Sequence, residues 1–507
     1  MQVALRKPLS TVVNILIKQG ITKMETRHIQ NHAYINGNWV KSLSGKTFDV
    51  FNPSNGELIT NVPDMNVEDV KCAVDAAAES FLTWSLTTAK ERGQLLRQWY
   101  NILNENSEKL AKLVQLEAGK PFSEALGEVA YGNAFIDWFS EEARRCYGEV
   151  LCSPVKNKEL MHIKQPIGVA ALLTPWNFPH AMITRKAGAA LAAGCTCVIK
   201  PAEDTPLTAL ALAEYAEKAG IPKGVINVVT CDRPSVGAVG KFLCETPLVS
   251  VITFTGSTVV GKLLFNQCAP SVKRISLELG GNAPFIVFKT ADVSKAVLGA
   301  VASKFRNCGQ ACISANRFLI EESVFDQFVN EFTSYVKENI SFEPDTQKQQ
   351  IGPLINDMQV KKVTAIVDDA ISKGAQVKLG GKVAKNKGKL YFEPTVLTNI
   401  KPDMVCYREE IFGPVAPCIK FSNEEEALRI ANDTKTGLAG YFYSNDISQI
   451  FRVSKKLQVG MVGINEGAIS TPEAAFGGIK ESGIGREGSH YGMDEFINIK
   501  YLCFGNL

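Results

Sequence analysis

The chain has 507 residues, 45 % of them hydrophobic and 21 % charged, with 55 basic and 52 acidic side chains and a net charge of +3 at pH 7. These proportions belong to a globular protein with several cores and exclude a disordered or fibrous chain; so balanced a charge gives no broad field for nucleic acid or a membrane surface, and neither is expected as a partner. Thirteen scattered cysteines without a CxxC pair, no HExxH and dispersed histidines point to a reducing compartment and no metal site.

The first 24 residues carry Arg6, Lys7, Lys18 and Lys23 and no acid before Glu25. Such a start matches a mitochondrial presequence, placed at residues 1–27, and implies a matrix location, or a cytoplasmic one if the segment is no presequence. From Ala33 the run Ala-Tyr-Ile-Asn-Gly-Asn-Trp-Val predicts a hairpin turning at Asn36-Gly37. Between Ala89 and Ala118, Leu95, Leu96, Trp99, Leu103, Leu110 and Val114 recur at helical spacing. The uncharged stretch Gln165 to Thr184 contains Pro166, Pro175, Pro179, Asn177 and His180, which no lipid-exposed helix would carry. Short apolar runs at 168–174, 195–199, 225–229 and 249–254 alternate with helical segments such as Leu207 to Ala219, predicting a parallel, doubly wound sheet. After Gly280-Gly281 the alternation resumes at 284–288, with a helix over 293–305 and a strand over 317–321, predicting a second α/β domain.

Two glycine motifs fail as nucleotide fingerprints. Gly483-Ile-Gly-Arg-Glu-Gly488 matches GxGxxG, but only 19 residues follow it, too few for a βαβ unit, and a loop of tight turns fits better. Gly256-Ser-Thr-Val-Val-Gly261-Lys262 approaches a P-loop, yet Leu263 occupies the position where Ser or Thr would hold Mg²⁺. What remains there is a strand, a turn and a helix N-terminus. It is either a pyrophosphate site or an ordinary turn capped by Ser257 or Thr258.

Five further segments occur in order: Thr174-Pro-Trp-Asn-Phe-Pro179, Lys200-Pro-Ala-Glu203, Leu277-Glu-Leu-Gly-Gly281, Gly309-Gln-Ala-Cys312 and Glu409-Glu-Ile-Phe-Gly-Pro414. From about Tyr34 onward the chain resembles the aldehyde dehydrogenase superfamily. Met182-Ile-Thr-Arg-Lys186, Lys304-Phe-Arg-Asn307 and Val462-Gly-Ile-Asn-Glu-Gly467 are most similar to the branch that acts on succinate semialdehyde. The resemblance implies an α/β fold: a doubly wound coenzyme domain (28–147 and 166–281), a catalytic domain (282–480) and a small β-ribbon for oligomerisation (148–165 and 490–507). It further implies a homo-oligomer, a dimer of dimers.

Oxidising an aldehyde by hydride transfer first needs a tetrahedral adduct, hence a strong nucleophile, and a cysteine thiolate supplies one. The family motif singles out Cys312 for that role, Asn177 and the Cys312 backbone N–H for the oxyanion, Glu278 as the base that activates the hydrolytic water, and Lys186 as the lysine near Asn177 and the cofactor. NAD is the implied cofactor. Lys200 and Glu203 would hold the adenosine ribose, Gly256 and Ser257 the pyrophosphate, and Glu410, Phe412 and Trp176 the nicotinamide end. An acid at Glu203 repels a 2′-phosphate and so favours NAD over NADP. Arg185 and Arg306 match the family's carboxylate-gripping arginines and Ser470 its hydroxyl donor, which implies a small aldehyde bearing a carboxylate: succinate semialdehyde, as in 4-aminobutyrate breakdown. Glutarate semialdehyde and other aldehydes remain alternatives. A non-catalytic protein on this fold would lack the nucleophile or the base, and both are present. Relatives with a redox-regulating disulfide carry a second cysteine where this chain has Ser314; Cys308 offers another thiol.

Overall fold

A computed structural model describes residues 29–344 and 347–506. The presequence expected at 1–27 lies outside the described residues. Ala33–Ile35 and Asn38–Val40 form the expected hairpin, with Asn36 at φ 50° and Gly37 at φ 73°, the two left-handed residues of a type I′ turn. The helical region after Ala89 is two helices, Ala89–Glu105 and Ser107–Ala118. The break falls at Asn106, whose side-chain amide donates to the Ile102 carbonyl at 2.8 Å. The apolar period runs through the break, which is why spacing alone does not reveal it.

One sheet has eight strands, in the order Asn38–Val40, Ala33–Ile35, Ile226–Val228, Thr196–Lys200, Val169–Leu173, Val249–Thr255, Arg274–Glu278 and Gly483–Ile484. The five from Ile226–Val228 to Arg274–Glu278 are parallel. From Val169–Leu173 the chain first builds outward on one side and then on the other, so the order reverses between that strand and Val249–Thr255. Such a switch point opens a crevice at the carboxyl ends of the strands. The second sheet has seven strands around Pro284–Val287, Arg317–Glu321 and Ala439–Tyr443. The third has three: Ile497–Gly505 pairs along its whole length with Lys158–Pro166, which also pairs with Glu149–Leu151. Its Val150, Ile499, Tyr501 and Phe504 are exposed. No helix among the described residues is long and apolar enough to cross a membrane.

The GxGxxG segment does begin in a strand, contrary to the reading as loop alone. Gly483–Ile484 pairs antiparallel with Leu277 and Glu278, and so joins the eight-stranded sheet from beyond the strands of the seven-stranded one. Gly483 lies at φ 139°, and a Cβ there would stand 1.8 Å from the Leu277 carbonyl, so only glycine permits the pairing. Beside it, Ser482 accepts the Leu279 N–H at 2.8 Å through its carbonyl, donates its hydroxyl to Gly280 at 2.7 Å and accepts the Gly437 N–H at 2.9 Å.

Candidate active site

The crevice at the switch point collects the residues expected to hold a dinucleotide. Val169–Leu173 leads to Trp176 and Asn177, Thr196–Lys200 to Glu203, and Val249–Thr255 through Gly256 into the Thr258–Cys268 helix. The Ser257 hydroxyl caps that helix, accepting the Val260 N–H at 3.4 Å. Capping and anion binding are compatible here, because the other first-turn N–H groups have no intrahelical acceptor. Glu410 accepts the Gly281 N–H at 3.1 Å, and burial pushes its carboxyl up to about 7. A Cβ on Gly280 would stand 2.9 Å from the other Glu410 oxygen, so the Gly280-Gly281 pair keeps this part of the cradle open. Phe412, at φ 56°, meets Trp176 edge-on with centroids 5.5 Å apart. Lys200 is buried, while Glu203 lies 2.6 Å from the Arg233 guanidinium, which Asp204 also approaches at 3.3 Å. A helix N-terminus, the acid expected to meet a ribose and the aromatic pair expected at the nicotinamide together fit an extended nicotinamide dinucleotide.

Glu278 ends the Arg274–Glu278 strand. It is buried, and neither of its carboxyl oxygens has a hydrogen-bond partner among the described residues. Burial and then the negative Glu487 raise its pKa well above the usual carboxylate range, against the pull of Arg185 and Lys186. Both of those cations come from the Ala181–Ala193 helix and both pair with Glu487. Burial opposes the ionisation of Glu487, but Arg185 and Lys186 outweigh it and hold its pKa below the ordinary value. Two carboxyls in one site are thus pushed in opposite directions, Glu278 up and Glu487 down, an arrangement typical of acid–base chemistry. Lys186 also donates to the Thr253 hydroxyl at 2.8 Å. Its hydrogen bonds run to Thr253 and Glu487, away from Asn177; the lysine that holds Asn177 is Lys120, donating to its carbonyl at 2.8 Å.

Cys312 follows the Val293–Phe305 helix across a turn in which Asn307 (φ 51°), Cys308 (φ 56°) and Gly309 (φ 73°) are all left-handed. Each non-glycine residue there costs about 1–2 kcal/mol. Four hydrogen bonds of Asn307 offset that cost: its N–H donates to both oxygens of Glu124, at 3.1 Å each, and its side-chain amide donates to the carbonyls of Asn177 at 2.9 Å and Gln310 at 3.2 Å. The Asn177 amide donates to Gln310 as well, at 3.1 Å, which leaves one of its N–H groups for an oxyanion. A Cβ on Gly281 would stand 2.6 Å from the Cys312 carbonyl, so this glycine also admits the Cys312 loop.

Cys312 is half-buried, and desolvation pushes its thiol up to about 12, with Arg185 opposing. In the cofactor-free protein its alkylation by iodoacetamide, followed by peptide mapping, should therefore keep rising up to about pH 10, since the thiolate is the reactive form. A plateau below about pH 8 would show a pre-formed thiolate instead. Cys308 lies in the core of the second domain at 1 % exposure, and burial raises its thiol too, so it is not an accessible thiol partner. All thirteen cysteines are free.

The three expected substrate residues meet around Tyr131, whose hydroxyl interacts with Arg185 and Ser470. Arg306 stacks on Phe178 and Tyr131, 5.0 and 5.8 Å from their ring centroids. The two arginines are not equivalent. Arg185 is buried, paired with Glu487 and 4.5 Å from the Phe476 ring, whereas Arg306 makes no ion pair among the described residues. Sequence reasoning missed Lys120, Glu124, Glu128, Tyr131 and Glu487. The signal for Glu487 was its place inside the glycine motif set aside as a loop.

Among known proteins, the sequence profile of the Aldehyde dehydrogenase family matches residues 39–502. The chain is 53 % identical over 483 residues to the human protein named succinate-semialdehyde dehydrogenase, mitochondrial, covering 94 % of this chain and 89 % of that one. It is 50 % identical over 476 residues to succinate-semialdehyde dehydrogenase (NADP(+)) GabD of Escherichia coli (strain K12), covering 94 % and 98 %. A crystal structure of succinate-semialdehyde dehydrogenase from Burkholderia pseudomallei superposes with a TM-score of 0.91 at 50 % identity, covering 94 % of this chain and 98 % of that one. A doubly wound sheet, a cysteine, a buried glutamate and an amide brought together at its switch point, and a profile match over nearly the whole length lead to one conclusion: the chain belongs to the aldehyde dehydrogenase family.

Proposed function

We propose that the protein oxidises succinate semialdehyde to succinate with NAD, as a homo-oligomer in the mitochondrial matrix. The observation that carries the substrate is Arg306, a cation on two aromatic rings beside Tyr131, Arg185 and Ser470, with no ion pair among the described residues; Glu124 feels its charge but has both oxygens on the Asn307 N–H. A carboxylate on the substrate would supply its counter-ion. The names of the human, E. coli and B. pseudomallei relatives support this reading. The exposed apolar residues of the three-stranded ribbon support a second copy of the chain as partner, and the human relative's name supports the compartment.

In this reading the Cys312 thiol gives up its proton to solvent and its Sγ attacks the aldehyde carbon as the thiolate, and the free N–H of the Asn177 amide and the Cys312 backbone N–H face the developing oxyanion. NAD, when bound, supplies the hydride acceptor. Glu278 takes the proton of the water that hydrolyses the Cys312 thioester, and its raised pKa makes it a stronger base than an exposed carboxylate. Measuring kcat/KM for succinate semialdehyde, glutarate semialdehyde, butanal and betaine aldehyde tests the substrate. Succinate semialdehyde should lead butanal by about a hundredfold, from charge-assisted hydrogen bonds butanal cannot make; equal activity on butanal overturns the assignment. The lead over glutarate semialdehyde rests on one methylene and about 1–3 kcal/mol.

NAD is favoured because Glu203 stands at the ribose end and Arg233, which could otherwise accept a 2′-phosphate, is engaged by Glu203 and Asp204. Glu203→Ser should release Arg233 from the nearer carboxylate and narrow the NAD/NADP ratio of kcat/KM by about tenfold or more. A wild-type preference for NADP, the cofactor in the name of the E. coli relative, would refute this part.

A further inference from the structure

Glu124 and Glu128 stand four residues apart in the first turns of the Phe122–Glu142 helix and so share one face, and Lys120, in the turn just before that helix, reaches the same face through its pair with Glu128. That face meets the active site, although no step above uses it. Lys120 Nζ donates to the Asn177 carbonyl at 2.8 Å and pairs with Glu128, whose other oxygen accepts the His180 N–H at 2.9 Å. One buried ion pair therefore grips the Asn177–His180 segment at both ends. Between the two, Glu124 takes the Asn307 N–H on both oxygens, and Asn307 returns to the Asn177 carbonyl with its side chain at 2.9 Å.

We propose that Lys120 and Glu124 are positioning residues for the reaction. Lys120 fixes the oxyanion amide of Asn177 by holding the carbonyl of the same residue. Glu124 aims Arg306 by clamping the next residue, Asn307, in its left-handed conformation, which would otherwise relax and swing the preceding side chain. The Glu124 half rests on the carboxylate-aldehyde reading above; the Lys120 half does not.

The test is steady-state kinetics with succinate semialdehyde and butanal, each also deuterated at the aldehyde carbon. Lys120→Met strands Glu128 without a counter-ion, so Lys120→Met/Glu128→Gln is measured beside it, with NAD binding and melting temperature as checks on folding. The Lys120 variants should lose kcat by about a hundredfold on both aldehydes, the scale of a lost oxyanion donor. KM should hardly move, and the isotope effect on kcat should rise. Lys120→Arg should restore most of the rate. Glu124→Gln should instead raise KM for succinate semialdehyde about tenfold, with a much smaller effect on butanal, since only the anion needs Arg306 in place. Lys120 variants with wild-type kcat, or a Glu124→Gln that loses both aldehydes in equal proportion, overturn the proposal. A wild type with no preference for succinate semialdehyde refutes the substrate reading and the Glu124 half with it, while the Lys120 half is still decided on butanal.

Discussion

Cys312→Ala should cut aldehyde oxidation by at least about four orders of magnitude, the scale seen when a covalent nucleophile is removed, and leave NAD binding intact. The alanine keeps the left-handed turn and the Gly281 contact, which involve backbone only. Glu278→Gln should behave differently. Its thiohemiacetal can still form and pass on its hydride, so one burst of NADH should appear in stopped flow, followed by a stall at the thioester. The wild-type acid limb of kcat should lie above the ordinary carboxylate range, because burial and Glu487 raise the Glu278 pKa and only the deprotonated form works as a base. Activity is then lost as pH falls through that raised value. Glu278→Gln turning over at the wild-type rate would remove the base assignment.

Arg306→Ala should lower kcat/KM for succinate semialdehyde by about 10- to 150-fold, mainly through KM, since a hydrogen bond to a charged group contributes about 1.5–3 kcal/mol. The gap to butanal should narrow accordingly. Arg185→Ala should carry another signature, because Arg185 also neutralises Glu487 and, through it, tunes Glu278. Its loss should depress kcat on every aldehyde and shift the acid limb. If the two variants instead show the same pure KM effect, the division of labour between the arginines is wrong.

Much of this was legible beforehand because it rests on local pattern. Asn36-Gly37 announces its turn, and apolar runs announce buried parallel strands. Cys312, Glu278 and Asn177 were named from motifs, and the structure brings them to one crevice. What stayed hidden depends on contacts between distant segments. No motif marks Lys120 or Glu128, yet both are buried where they meet Asn177 and His180. Glu487 reads as a loop acid until the Ala181–Ala193 helix supplies its two cations. No spacing rule links residue 487 to residues 185 and 186.

The strand Gly483–Ile484 has a consequence for how the protein is made. The edge strand Arg274–Glu278 leaves the ribosome with its partner still some 200 residues behind, on the order of tens of seconds of synthesis. Through that interval the nascent sheet presents an unpaired edge, the kind of surface that recruits chaperones or a second nascent chain. Lys158–Pro166 waits longer still, for Ile497–Gly505. Glu487 arrives just after the strand closes, so the electrostatic setting of Glu278 is completed among the last events of biosynthesis. The buried, charge-flanked setting of Glu278 is thus complete only when almost all of the polypeptide has been translated.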